Sequence, residues 1–406
     1  MRLQLIIAST FSHNIADLAV LQTTQRLKQT IDNIPEETLL YQFSSSSWLL
    51  EVNKDHNGES SKSIAQEILR KISNEPLKID EREISVTCSI GISDLPAHGN
   101  SISELLRNAD SALYKSQTSG RNTFAIFHAG IKEKTKKLLK MEYNLRDALH
   151  KNEFQLFFQR KINVNDNSIC SAEALIRWQH DGQIVSPADF IPVAEKSNLI
   201  IAIGNWVIDE ACHQINQWRK TDMGTTNVSV NISPKHFLAS DFIETVQNTL
   251  KRYDLPAPCL ELEITEHAMM IDSDIVIRRL KILKDIGVRL SIDDFGTGFS
   301  SLSYIRTLPI DLIKIDQSFI HSMLNSDRDL AIVQMIIQLC KKLNLEVVAE
   351  GVETEQQKNV LISFDCDYLQ GYLFSKPLRV TDYEQFMAKT SNTLHASQSR
   401  NERLLD

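Results

Sequence analysis

Residues 288–294, VRLSIDD, alternate apolar and polar side chains over the length of a strand and end in two aspartates. The same grammar recurs on both sides: a short apolar run closing on a polar side chain. Upstream lie Phe154–Gln159, Cys170–Trp178, Asn227–Ser233 and Leu260–Thr265. Downstream lie Leu312–Asp316, Leu345–Glu350 and Tyr368–Gly371. Helical periods fill most of the gaps, as in Ile200–Trp218, Asp274–Ile286 and Leu330–Leu343. Eight strands alternating with helices over about 240 residues predict an α/β fold, a (β/α)8 TIM-like barrel spanning 153–390. A doubly wound open sheet is the other arrangement compatible with this rhythm.

In such a barrel the C-terminal strand ends meet in one mouth. Glu173 lies in the second strand, Asn231 and Glu263 close the third and fourth, and Asp293 with Asp294 ends the fifth. Lys314 lies in the sixth, Glu350 ends the seventh and Gln370 the eighth. A lone acid at a strand end is more often a helix cap or surface charge, and an Asp-Asp pair recurs in turns. Seven polar strand ends are different, because buried charge is costly without a partner. Five carboxylates in one cavity need a cationic balance. An all-oxygen donor set favours Mg²⁺ or Mn²⁺ over zinc. Two divalent ions plus Lys314 offset the five negative charges, and two ions about 4 Å apart suit in-line displacement at phosphorus. Asp293 and Asp294 would face opposite ways in a regular strand, but at a strand-to-loop corner both can turn inward.

The remaining chain divides by pattern. Residues 1–127 read as a smaller α/β sandwich: strands at Leu3–Ala8, around a serine run within Leu39–Val52, and at Ile84–Ile92; helices at Ile15–Ile31, Ser63–Ile72 and Ser103–Ser116, the last capped by Ser101 or Ser103. Residues 55–63 form a polar loop. Residues 128–152 form a charged helix, either a stiff coupler of two domains or the plain start of the second. The tail, 391–406, is polar and reads as frayed. A chain of 406 residues has room for two or three domains. A formal net charge of −8 argues against a nucleic-acid polymer as partner. Six scattered cysteines without a CxxC read as reduced core thiols of a cytoplasmic protein. No apolar stretch reaches membrane-spanning length, which predicts no membrane insertion.

P-loop, HExxH and GxSxG motifs are absent from the sequence, and Gly296-Thr297-Gly298 lacks the third glycine of a dinucleotide fingerprint. The barrel blocks instead spell a family. EALIRW (173–178), SVNIS (229–233), LELEITE (260–266), SIDDFGTGFSSL (291–302), DLIKID (311–316), VVAEGVE (347–353) and LQGYLFSKPL (369–378) together resemble EAL-domain phosphodiesterases, which hydrolyse cyclic di-GMP. The resemblance implies that Glu173, Asn231, Glu263 and Asp293 hold one metal, Asp293 bridging to a second that Asp294 helps to hold. Lys314 resembles the lysine that orients the attacking water. Glu350 matches either a metal ligand or the general base. Arg177 would contact a phosphate. Gln159 and Gln370 resemble substrate-contacting amides. Glu266 and Glu353 would steady the loop from Phe295 to Leu302, where Gly296 and Gly298 allow a sharp bend and where the family forms a homodimer interface. Calcium is expected to inhibit, because its larger and more flexible shell positions water poorly.

Two departures stand out. Gln159-Arg160 replaces the family's Gln-Pro, and Phe299 replaces a common tyrosine; the first is expected to shift substrate affinity more than chemistry. The first domain resembles a GGDEF domain, the diguanylate cyclase fold, through VTCSIGIS (86–93) and NADSALYKSQTSGRN (108–122). Ser44, Ser45, Ser46, Ser47 and Trp48 fall where its five-letter signature belongs. Serine supplies neither the φ freedom nor the charge a cyclase needs there. The first strand also lacks the expected aspartates, and Pro35 and Thr38 occupy the inhibitory-site positions. The domain therefore reads as degenerate, truncated and non-catalytic, with dimerisation or GTP sensing as residual roles. Three readings compete: a two-metal phosphodiesterase making linear pGpG, a non-hydrolysing cyclic di-GMP receptor signalling through a protein partner, and a pure interaction scaffold.

Overall fold

The computed structural model describes residues 2–6, 13–34, 37–44, 46–53, 60–79, 82–120, 122–165, 168–221, 223, 227–269, 273–297 and 305–388. The chain divides into two compact units, residues 1–143 and 144–406. The predicted tail, the polar loop tip at 54–59 and residues 298–304, with Phe299, lie outside the described residues.

In the first unit β1 (Arg2–Ile6), β2 (Thr38–Ser44) and β3 (Ser47–Val52) precede the short pair β4 (Leu77–Ile79) and β5 (Arg82–Ile84). β6 (Thr87–Ile92) and β7 (Phe124–Ile126) follow. Five of these form one sheet in the order β2-β3-β1-β6-β7, with only β6 and β7 parallel. Helices His13–Ile31, Ser60–Ser73 and Ile102–Thr118 accompany it. The last starts as expected at Ser101, whose side chain accepts from the Glu104 amide. The expected strand Ile84–Ile92 is broken. Its first residue belongs to the β4–β5 hairpin, and a separate strand begins at Thr87. The core joins Leu27, Trp48, Ile68, Val86 and Ile90. Ser44 and Ser47 pair at the end of the β2–β3 hairpin, their Oγ atoms 2.7 Å apart. Ser47 and Trp48 are buried.

One helix, Ala129–His150, covers most of the expected connector, and the division between units falls within it. Its end belongs to the second unit, where Leu145 and Ala148 are buried and Asn144 Nδ2 lies 2.9 Å from His180 Nε2.

The second unit is the barrel. Its eight staves are β8 (Phe154–Asn163), β9 (Ile169–His180), β11 (Asn227–Ile232), β12 (Leu260–Thr265), β13 (Arg289–Phe295), β14 (Leu312–Ile315), β15 (Glu346–Ala349) and β16 (Tyr368–Leu369). β10 (Gln183–Val185) and β17 (Leu378–Arg379) extend the sheet beside β9 and β8, and pairing of β8 with β9 closes the ring. The eight expected staves are all present. Among the described residues the regular strand–helix rhythm fails between the first two staves: they form an antiparallel hairpin, and β8 also runs antiparallel to β16. The connection 163–169 is too short for a crossover helix, so the chain must reverse. β8 also runs four residues past the expected end at Gln159, which brings Lys161 into the barrel.

Candidate active site

Period-2 alternation decides what enters the barrel. On β8, Gln159 and Lys161 share a face, and Gln159 pairs with Glu173 on β9. On β12, Glu261 and Glu263 share a face, with Asn231 of β11 beside Glu263. Lys314 projects from β14 and is 1% exposed. Its Nζ lies 2.6 Å from Glu263 Oε2, 2.7 Å from Glu350 Oε1, 3.1 Å from Asp293 Oδ1 and 3.6 Å from Glu173 Oε2. Residues separated by up to 177 positions thus meet around one amine (350 − 173).

Polar contacts extend this hub. Asn231 Nδ2 donates to Glu173 Oε1 at 2.7 Å, and Gln370 Nε2 donates to Glu173 Oε2 at 2.6 Å. Gln370 Nε2 also lies 3.3 Å from Gln159 Oε1, while Gln159 Nε2 donates to the Ser375 carbonyl. Gln370 Oε1 is buried and accepts no hydrogen bond.

The two adjacent aspartates reach the same site through backbone geometry. The β13–β14 register shifts between Ile292 and Phe295, and Asp294 adopts φ 56°. A bulge of this kind breaks the alternation and re-aims side chains. Ligand oxygens of Asp293, Asp294 and Glu350 consequently lie within 4.8 Å of one another. The turn that follows uses Gly296 at φ 100°, and the Gly296 amide donates to Glu266 Oε2 at 3.0 Å. Glu266 is thereby bonded to the turn at the end of β13. Glu353 does not enter the cluster: its carboxylate is half-exposed, 3.8 Å from His321 Nε2.

Arg177 shares a face with Glu173 four residues earlier. Its guanidinium donates to the Ile176 carbonyl and lies 5.5 Å from the Phe157 ring centroid. Arg160 donates to the Phe374 carbonyl and lies 4.1 Å over the Phe386 ring. With Gln159 it ties two successive carbonyls to the first stave, a contact the family's proline could not make.

Electrostatics define what the site can hold. Burial pushes Glu350 up to about 8; Lys314 opposes this, and the charges of Asp293, Glu173 and Glu263 add to it. Glu173 and Asp293 are raised as well, by burial first and then against Lys314 by their acidic neighbours. Glu263 alone goes down, to about 2: burial opposes its charge, but Lys161 and Lys314 together overcome that. One amine cannot satisfy the upper acids. The all-oxygen donor set and the proximity of Asp293, Asp294 and Glu350 fit a divalent metal ion.

Sequence reasoning missed Lys161, Glu261 and Arg289. Lys161 Nζ lies 3.0 Å from Glu261 Oε1 and 2.8 Å from Glu263 Oε1. Arg289 Nε lies 3.3 Å from Glu261 Oε2, and the same guanidinium bonds Glu346. The i, i+2 spacing from Gln159 to Lys161 and from Glu261 to Glu263 was the available signal.

Comparison with known proteins identifies two domain families in the chain. The EAL domain family matches residues 142–377, and the diguanylate cyclase GGDEF domain family matches residues 6–123. The chain is 34% identical over 382 residues to the bifunctional diguanylate cyclase/cyclic di-GMP phosphodiesterase MucR of Pseudomonas aeruginosa, covering 94% of this chain and 55% of that protein. It is 38% identical over 340 residues to the cyclic di-GMP phosphodiesterase NbdA of the same organism, covering 84% and 43%. The chain spans about half the length of these curated relatives. A solved structure described as the PaMucR phosphodiesterase in complex with c-di-GMP is 40% identical, with a TM-score of 0.59, covering 60% of this chain and 99% of that one. The EAL enzyme Bd1971, in a form bound to cAMP and cyclic di-GMP, is 32% identical with a TM-score of 0.59, covering 71% and 76%. No helix among the described residues is long and apolar enough to cross a membrane. The strand-end acids, the barrel that gathers them and these matches have one reading: the chain belongs to the EAL domain family, with a GGDEF domain ahead of its barrel.

Proposed function

We propose that the barrel hydrolyses cyclic di-GMP to linear pGpG with two divalent ions, Mg²⁺ or Mn²⁺, and that the GGDEF domain is a non-catalytic regulatory or dimerisation module. The observation that carries this reading is the four-carboxylate hub around Lys314, flanked by the Asp293, Asp294 and Glu350 oxygens. Glu173, Asn231, Glu263, Asp293, Asp294 and Glu350 would hold the ions, which would supply Lewis acidity toward the phosphodiester and water. Lys161 comes paired with buried Glu261, so it leaves unchanged the balance of Lys314 and two divalent ions against five carboxylates.

The chain's own groups then have distinct tasks. Lys314, held by acids on several sides, orients water against the phosphorus. Glu350 is placed to take a proton from that water or to complete the ligand set. Arg177 neutralises a phosphate, and the Gln159–Gln370 pair presents amides to the substrate, including the unused acceptor Gln370 Oε1. Domain limits near 127, 152 and 390 and a homodimer through the barrel belong to the same proposal.

Incubating the full chain with cyclic di-GMP and Mg²⁺ or Mn²⁺, followed by product separation, tests it. Linear pGpG is the expected product. Tight binding without turnover at alkaline pH with either ion would overturn hydrolysis in favour of a receptor.

A further inference from the structure

Glu263 divides its two oxygens between two lysines. Oε2 faces Lys314 and the acid cluster at 2.6 Å; Oε1 is held 2.8 Å from Lys161 Nζ on the opposite side. Lys161 is itself fixed. It is 1% exposed, its Nζ lies 3.0 Å from Glu261 Oε1, and Glu261 is braced by Arg289, which reaches on to Glu346. Tyr368 Oη bonds the other Glu346 oxygen at 3.3 Å. A chain of alternating charges therefore runs from Glu346 at the start of β15 through Arg289, Glu261 and Lys161 to one face of Glu263.

We propose that Lys161 is a positioning residue that sets metal selectivity: by holding Glu263 Oε1 it weakens that oxygen as a second donor beside Oε2, which Lys314 also faces, and so discriminates against calcium. The inference rests on the reading of Glu263 as a metal ligand. The physical reason lies in coordination number. Ca²⁺ takes 6–8 oxygens and welcomes bidentate carboxylates, whereas Mg²⁺ demands a compact octahedron. An ammonium on Oε1 draws electron density from that oxygen, so a large ion gains less from taking both. Removing the ammonium also makes the site more negative, but that change attracts all divalent ions alike. The ratio of affinities for two ions of equal charge isolates the geometric effect.

The test is calorimetric titration of Mg²⁺ and Ca²⁺, each alone, into the full-length wild type, Lys161→Met and the double variant Lys161→Met/Glu261→Gln. The double variant removes one charge of each sign and keeps the experiment readable should the single variant fail to fold. The expected result is a shift of the Ca²⁺/Mg²⁺ affinity ratio toward calcium by about fivefold or more in both variants that fold. An unchanged ratio in the double variant overturns the inference, as does a wild type that binds neither ion. A wild type that binds ions and shifts as expected, yet leaves cyclic di-GMP intact, would retain the selectivity role while removing the hydrolytic reading.

Discussion

Asp294 donates its backbone amide to the side chain of its neighbour, Asp293 Oδ1, at 2.9 Å, while its own φ of 56° swings its carboxylate to the same side. Two consecutive residues on one strand serve one site only because the strand is bulged there.

This geometry separates charge from conformation at position 294. Asp294→Asn keeps a residue type that tolerates the left-handed region and should leave thermal stability within about 0.5 kcal/mol. Asp294→Ala should cost about 1–2 kcal/mol through the backbone alone. Both should raise the Mn²⁺ concentration needed for half-maximal turnover. Urea melts beside metal titrations distinguish the two effects.

Lys314 partly neutralises the four acids gathered around its amine, and burial of an unpaired charge is strongly destabilising. Lys314→Met should destabilise the metal-free protein by about 3–5 kcal/mol, and Mn²⁺ should recover part of this. Its kcat should fall at least about 10²-fold even at saturating metal. A variant with wild-type kcat would remove the lysine from the chemistry.

Glu350 supplies a pH prediction. Its folded pKa of about 8 stands above the ordinary 4.5, so the folded protein holds a proton that the unfolded chain releases between these values. Metal-free stability should therefore fall as pH rises from about 4.5 to about 8. Saturating Mg²⁺ should flatten that slope, and the pH dependence of the melting temperature with and without metal measures it. Below pH 8 protons should also compete with the ion, so metal-limited turnover should rise with pH.

The opposite sign holds for His236. It is 1% exposed, its Nε2 lies 2.7 Å from Asn205 Oδ1, and its Nδ1 has no hydrogen-bond partner. Burial, only partly opposed by Asp241, lowers its pKa from 6.5 to about 4. The unfolded chain takes up a proton first, so stability should drop by about 3 kcal/mol between pH 6.5 and 4. A Cβ at Gly204 would stand 2.2 Å from Nδ1, so Gly204→Ala should destabilise at every pH without creating this acid slope. Denaturation curves of wild type and His236→Gln across the interval read the difference.

How much the residue string disclosed varies by element. VRLSIDD, LELEIT and DLIKID announce their strands through alternation, and their polar ends locate Glu263, Asp293 and Lys314 without a structure. The reversal of β8 was harder to read. Asn163 to Ser168 is rich in turn formers, but an eightfold rhythm favours seeing every gap as a crossover. Taking Gln159 as the end of that strand hid Lys161 two residues on. Conversely, the alternation from Ile84 to Ile92 hid the break before Thr87. That break follows from the local pairing of β5 with β4, which no long-range pattern encodes.

The reversed first stave also determines when the site can exist. Gln159 and Gln370 are 211 positions apart, and their amides touch only across the seam that shuts the ring. A nascent chain halted before residue 368 would already own every acid and both lysines, yet would lack this final clasp. The Gln159–Gln370 contact therefore requires the complete ring, and a barrel cut short of β16 leaves Gln159 without it.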